Sequence, residues 1–207
     1  MTGVQTCALP IFESGLVAIL RTKTESDARD MANALVNTGI KLIEFTTTTP
    51  GALNLVEEFS ANTSINVGLG TALTKEHVNA GKKAGAKFII SPHTDEEVIK
   101  ATKASDLISI PGVASPTDIG NAIKFGADAL KFFPASSLGP NYLKAVREPF
   151  PGQIWMATGG ISVESVGDWI KAGCTALGIG SPLTSGGVNE ISIRVNAFQN
   201  AIVATKL

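Results

Sequence analysis

Cysteine and histidine are scarce in this sequence, two of each among 207 residues, and there is a single tyrosine. Two thiols, Cys7 and Cys174, cannot build a disulfide scaffold, which points to a reducing, cytoplasmic setting. The histidines, His77 and His93, fall on or beside helical patterns without the clustering that a divalent site needs, so no metal is expected. Charge of one sign is lacking too. The 17 Lys+Arg balance 18 Asp+Glu to a net −1, which leaves no basic excess for neutralising nucleic-acid phosphates. No apolar run approaches the ~20 residues of a membrane span. No Pro/Ser linker or low-complexity block divides the chain. Hydrophobic residues, by contrast, make up 44% against 17% charged, a balance that excludes disorder. At this length roughly 70% of the unfolded surface can be buried, enough for one full core without staples.

The first eleven residues, Met1 to Ile11, lack the basic n-region and continuous apolar stretch of a signal peptide. They read as the translation of a sequencing-library adapter from a GTG start. Residues 1–11 are therefore expected to be a non-native tail, with residues 12–207 forming the domain.

From Leu16 onward, short apolar runs alternate with longer amphipathic stretches. The runs begin near Leu16, Lys41, Ile65, Lys87, Asp106, Asp128, Gln153 and Thr175, in steps of 19 to 25 residues. Each step holds a strand of about five residues, a helix of about eleven and two short connections. Strands separated by helices pair in parallel. Eight such units predict a single-domain (β/α)₈ barrel, with an open doubly wound sheet as the alternative. Local signals keep the same period. Thr24 to Asp27, Thr94 to Glu97 and Ser115 to Asp118 resemble capping boxes, the last with proline at the first helical position. Gly39, Gly85, Gly126 and Gly173 each close a helical pattern where a left-handed residue is needed.

Barrel strands are covered on both faces and should read as nearly continuous hydrophobics. Two carry a charge instead: Leu42-Ile43-Glu44-Phe45 and Leu130-Lys131-Phe132-Phe133. Period-two alternation sends Ile43, Phe45, Leu130 and Phe132 toward the helices, and Glu44 and Lys131 into the barrel near the strand ends where barrel active sites are built. A buried Lys–Glu ion pair, or two side chains snorkelling to the rim, would be the structural explanation. The chemical one is that apolar surroundings disfavour the ammonium and leave a nucleophilic amine beside a proton-shuttling carboxylate. Thr158-Gly159-Gly160 after the seventh strand and Gly180-Ser181 after the eighth resemble the paired phosphate cradle of such barrels. Thr71 is a candidate hydroxyl donor or a plain N-cap. Arg21 is a candidate anion clamp or a solvated arginine.

Together these residues resemble the 2-keto-3-deoxy-6-phosphogluconate (KDPG) and 4-hydroxy-2-oxoglutarate aldolase family. The matching stretches are Val17 to Arg21, Ile43-Glu44, Gly68 to Thr71, Ile90-Ser91-Pro92, Ile110-Pro111-Gly112, Leu130 to Pro134, Thr158 to Ile161 and Gly180-Ser181. The resemblance implies a class I aldolase on a (β/α)₈ barrel, a homotrimer with no cofactor, acting on a small phosphorylated keto acid. Lys131 would form the Schiff base, with Glu44 as general acid/base. Gly159, Gly160, Gly180 and Ser181 would hold the phosphate and Thr71 the carboxylate end, while Pro92 and Phe133 would shape the pocket. Thr158 matches the gluco-type enzymes, where the galacto-type carry an apolar residue. The family's arginine after the strand-two glutamate is absent. Thr48 stands in its place within Thr46-Thr47-Thr48-Thr49, so carboxylate binding is expected from Arg21, Thr71 or these threonines. The adapter-like segment takes the place of most of the helix that precedes the first strand in the family. The remaining alternatives are a phosphogalactonate aldolase, another phosphate-binding barrel such as an isomerase or transferase, and a non-catalytic binder.

Overall fold

The computed structural model describes residues 13–206, so the adapter-like stretch 1–11 and Cys7 lie outside the described residues. Among them nine strands occur in chain order: β1 Leu16–Leu20, β2 Leu42–Thr46, β3 Asn66–Gly70, β4 Phe88–Ile90, β5 Ile108–Ile110, β6 Gly112–Val113, β7 Leu130–Phe132, β8 Trp155–Thr158 and β9 Ala176–Ile179. Every pairing is parallel, in the order β5-β4-β3-β2-β1-β9-β8-β7-β6. The two ends of that order are consecutive in sequence, with Pro111 alone between them, so the ring closes through the chain itself. The expected fifth strand is thus one strand broken at a residue with no N–H to give to a ladder. Ser109 O accepts from Asp128 N at 3.0 Å and Pro111 O from Lys131 N at 2.9 Å, joining this strand to β7 on the side away from β4.

Among the described residues, ten α-helices surround the ring: α1 Glu25–Asn37, α2 Ala52–Ser60, α3 Lys75–Lys83, α4 Glu96–Ala104, α5 Pro116–Phe125, α6 Ala135–Leu138, α7 Pro140–Arg147, α8 Val166–Lys171, α9 Ser181–Thr184 and α10 Ile191–Lys206. Four of these helices start at a polar side-chain cap: α1, α3, α4 and α5. Thr24 caps α1 by accepting from Asp27 N, and Ser115 with Asp118 forms a complete capping box on α5. At α4 the cap is Asp95 rather than the expected Thr94. The Asp95 carboxylate accepts from Val98 N at 2.8 Å, while the Thr94 hydroxyl donates to Gly112 O at 3.0 Å. Gly39, Gly85, Gly126 and Gly173 all take positive φ, between 81° and 103°.

Strand alternation divides the core in two. Leu130, Phe132, Ile43 and Phe45 belong to the large cluster under the helices. There Phe132 sits 6.0 Å from the Trp169 ring and 6.1 Å from Tyr142. Val17, Leu42, Phe88, Ile110, Ala129, Met156 and Ala176 form a second cluster that fills the lumen below the polar rim. The chain directions that hold Phe132 outward therefore aim Lys131 inward. Replacing Phe132 with alanine is expected to lower the unfolding free energy by about 3–5 kcal/mol in urea titrations. A loss below about 1 kcal/mol would show that this ring does not anchor β7.

Candidate active site

The lumen changes character one pleat above its apolar floor. Glu44, Lys131 and Thr158 point inward there, and each is paired in register with a glycine: Glu44 with Gly68, Lys131 with Gly112 and Thr158 with Gly178. A methyl group on Gly70 would occupy the Glu44 carboxylate, and one on Gly178 would run into the Thr158 hydroxyl. One on Gly112 would strike the Pro92 carbonyl. The glycines thus make the space that the functional side chains fill.

That space is a cavity of about 380 Å³ lined by Arg21, Glu44, Thr71, Pro92, Lys131, Phe133, Thr158, Gly159, Gly160, Gly180 and Ser181. Eleven of the twelve residues expected from the sequence therefore meet on one rim. Thr48 does not. β2 ends at Thr46, and the turn closed by Thr49 N donating to Thr46 O swings residue 48 onto the exposed side. Its hydroxyl lies 3.0 Å from that of Thr46. Thr184 and Ile19 line the cavity without having been singled out from the sequence. Only the hydroxyl three positions beyond Ser181 could have marked Thr184.

Lys131 is 5% exposed and Glu44 1%. The Lys131 Nζ stands 4.8 Å from the centre of the Phe133 ring. The ion pairs among the described residues do not join it to Glu44, so the buried-pair explanation fails. Burial pushes the Lys131 amine below the ordinary lysine value; Glu44 opposes this shift and Arg21 reinforces it. Burial pushes the Glu44 carboxyl up, against the pull of Lys131 and Arg21. Desolvation thus moves both groups toward their uncharged forms, while their mutual attraction opposes it. Among the described residues, the buried side-chain oxygens left without a hydrogen-bond partner are Glu44 Oε2 and Thr158 Oγ1, and both belong to this cavity. Such atoms call for a polar partner.

Arg21 and Thr71 form the second corner. Arg21 Nη2 donates to Thr71 Oγ1 at 3.0 Å. On the opposite side, Gly159 and Gly160 follow each other at φ 101° and 69°, with Gly159 O turned away to accept from Ser136 N. The short α9 begins at Ser181 on the neighbouring strand end, with Pro182 in its first turn. Consecutive left-handed glycines beside Ser181 form a concave set of backbone donors suited to an anion. A buried amine, a buried carboxyl and a glycine-rich rim beside Ser181, together in one cavity, are the parts that carbonyl condensation needs.

The comparisons agree with that chemistry. The chain belongs to the KDPG and KHG aldolase family, whose model matches residues 10–197. It is an aldolase, a carbon–carbon lyase. It is 33% identical over 197 residues to the 2-dehydro-3-deoxy-6-phosphogalactonate aldolase of Escherichia coli (strain K12), covering 90% of this chain and 96% of that one. It is 32% identical over 160 residues to a 2-dehydro-3-deoxy-phosphogluconate aldolase of Pseudomonas aeruginosa, covering 76% and 73%. The crystal structure of a Legionella pneumophila KDPG aldolase, with pyruvate captured at low pH as a covalent carbinolamine, superposes with a TM-score of 0.79 at 27% identity, covering 99% of this chain and 98% of that one.

The electrostatics carry a signed expectation. Amine-directed labelling of Lys131, followed by peptide mass spectrometry, should reach half-maximum at lower pH than labelling of surface lysines. Glu44→Gln removes an attraction for the ammonium and should move the midpoint further down. Arg21→Gln removes a repulsion and should move it up. A Lys131 that titrates with the surface lysines would refute the role given to desolvation.

Proposed function

We propose that this aldolase cleaves KDPG to pyruvate and D-glyceraldehyde 3-phosphate through a Schiff base on Lys131. The observation that carries the reading is the convergence of a desolvated amine, an unpartnered buried carboxyl and an unpartnered hydroxyl on one cavity. The Lys131 amine attacks the C2 ketone to give a carbinolamine. Glu44, as the acid, protonates the departing hydroxyl, water leaves and the iminium forms. The Glu44 carboxylate then takes the C4 hydroxyl proton as the C3–C4 bond breaks. The bond electrons move into the iminium, and glyceraldehyde 3-phosphate departs as the aldehyde. Protonation of the enamine at C3 and hydrolysis release pyruvate and restore the amine.

The backbone of Gly159, Gly160, Gly180 and Ser181 takes the phosphate, and Arg21 with Thr71 takes the carboxylate end. Phe133 and Pro92 wall the ketone. A homotrimer is carried over from the family resemblance, and a cytoplasmic setting from the scarcity of cysteine. Phosphogalactonate cleavage is the second reading, favoured by the E. coli relative. Thr158 supports the gluco-type substrate, because its buried hydroxyl can be satisfied by a substrate oxygen where an apolar residue could not.

Borohydride reduction with labelled pyruvate should inactivate the enzyme and leave one reduced adduct, on Lys131. Glu44→Gln should still be trapped while cleavage falls by about 10²–10⁴-fold. Cleavage at the parent rate would remove Glu44 from the mechanism. In coupled assays Thr158→Val should lose about tenfold in kcat/KM on KDPG and less on the phosphogalactonate epimer. Equal losses on both would leave Thr158 without a part in selection.

A further inference from the structure

Thr71 is the least comfortable residue on the rim. It is β-branched and sits at φ 56°, in the left-handed region that such side chains rarely enter. Conformations of this kind persist where their surroundings hold them, and they cluster at ligand sites. The holding group comes from the threonine run. Thr47 N donates to Gly70 O at 2.8 Å, and the Thr47 hydroxyl donates to Thr71 O at 2.8 Å. On the far side, Ala72 N donates to Ile90 O at 3.1 Å, so the Thr71 peptide is gripped at both ends. Its side-chain oxygen is left to face Arg21 and the cavity.

The other threonines tie the same corner to β1. Thr46 and Thr49 hydroxyls both donate to Leu20 O at 3.3 Å, and Thr49 accepts from Thr22 N at the same distance. The residues before and after Arg21 are thereby fixed to the turn that carries Thr47.

We propose that Thr47 is a positioning residue for keto-acid binding. Its hydroxyl locks Thr71 in the left-handed conformation and so aims the Arg21–Thr71 pair at the substrate carboxylate. The proposal rests on the reading that this pair meets the carboxylate end. Thr47 itself touches no substrate, so its loss acts through Thr71.

The test compares T47V, T47S, T71V and the double variant T47V/T71V in the condensation direction, with pyruvate and D-glyceraldehyde 3-phosphate varied separately. T47V keeps the branched shape and loses the hydroxyl. It should raise the KM for pyruvate about tenfold. Its kcat and its KM for the aldehyde phosphate should stay within about twofold of the parent. T47S should restore the parent KM, and the double variant should bind pyruvate no worse than T71V. T47A gives the same comparison if the valine variant does not fold. A parent-like T47V beside an impaired T71V would overturn the positioning role and leave the carboxylate reading standing. A parent-like T71V would overturn both. Losses that add in the double variant, or no rescue by serine, would assign Thr47 to packing alone and overturn the proposal.

Discussion

An ammonium moved from water into a low-dielectric interior loses several kcal/mol of hydration, and a nearby opposite charge restores that only when the two groups touch with good geometry. In this barrel they do not touch. Lys131 rises from a strand whose lower lumen neighbours are apolar, faces an aromatic ring, and has its carboxylate counterpart across a cavity rather than in contact. Desolvation pulls the amine's proton affinity down and the carboxyl's up, against their mutual attraction. The proposed roles of Lys131 as nucleophile and Glu44 as acid rest on that single electrostatic constraint, with neither residue chemically unusual.

Geometry does the rest by subtraction. Side chains pointing into a narrow ring compete for its volume, and the inward polar ones fit where a neighbouring strand has no side chain. Gly70 leaves room for Glu44 and Gly178 for Thr158, while Gly68 and Gly112 let Phe88 and the Pro92 carbonyl approach. A floor of Phe88, Met156 and Ile110 below them keeps the cavity shallow and open at the end where the loops carry the anion donors. The apolar packing lies in the floor and the outer shell, and the polar groups of the proposed chemistry in one layer above it.

Much of this was legible from residue order. A charge within an otherwise apolar strand names its own direction, because alternation leaves Lys131 and Glu44 no other face while Phe132 and Phe45 go to the helices. The strand starts follow the 19-to-25-residue rhythm because parallel crossovers fix it. The failures lie where direction is set by a turn. The threonine run after Glu44 offers four similar hydroxyls, and nothing in their order says that residue 48 swings out to solvent while residue 47 grips the next strand's end. Thr94 and Asp95 are equally adjacent and equally able to cap, and tertiary hydrogen bonds to Gly112 and Asp118 decided between them. The break of the fifth strand at Pro111 was hidden for a related reason. A missing donor is visible in sequence, but the two different neighbours that flank it are not.

That break also bears on how the protein behaves in a crowded solution. A sheet that ends presents rows of unpaired amides to any passing chain, and natural β-proteins spend lysines, prolines and bulges on guarding such borders. Here the border strands are separated by Pro111 alone, β5 bonded toward Lys87 and Ser91 and β6 toward Phe133, with Ser109 O accepting from Asp128 and Ala129. Among the described residues the cylinder offers no free border strand for a stranger to extend, which leaves side-chain surfaces rather than backbone ladders for self-association of the native fold. Amyloid-like stacking would require the ring to be opened first.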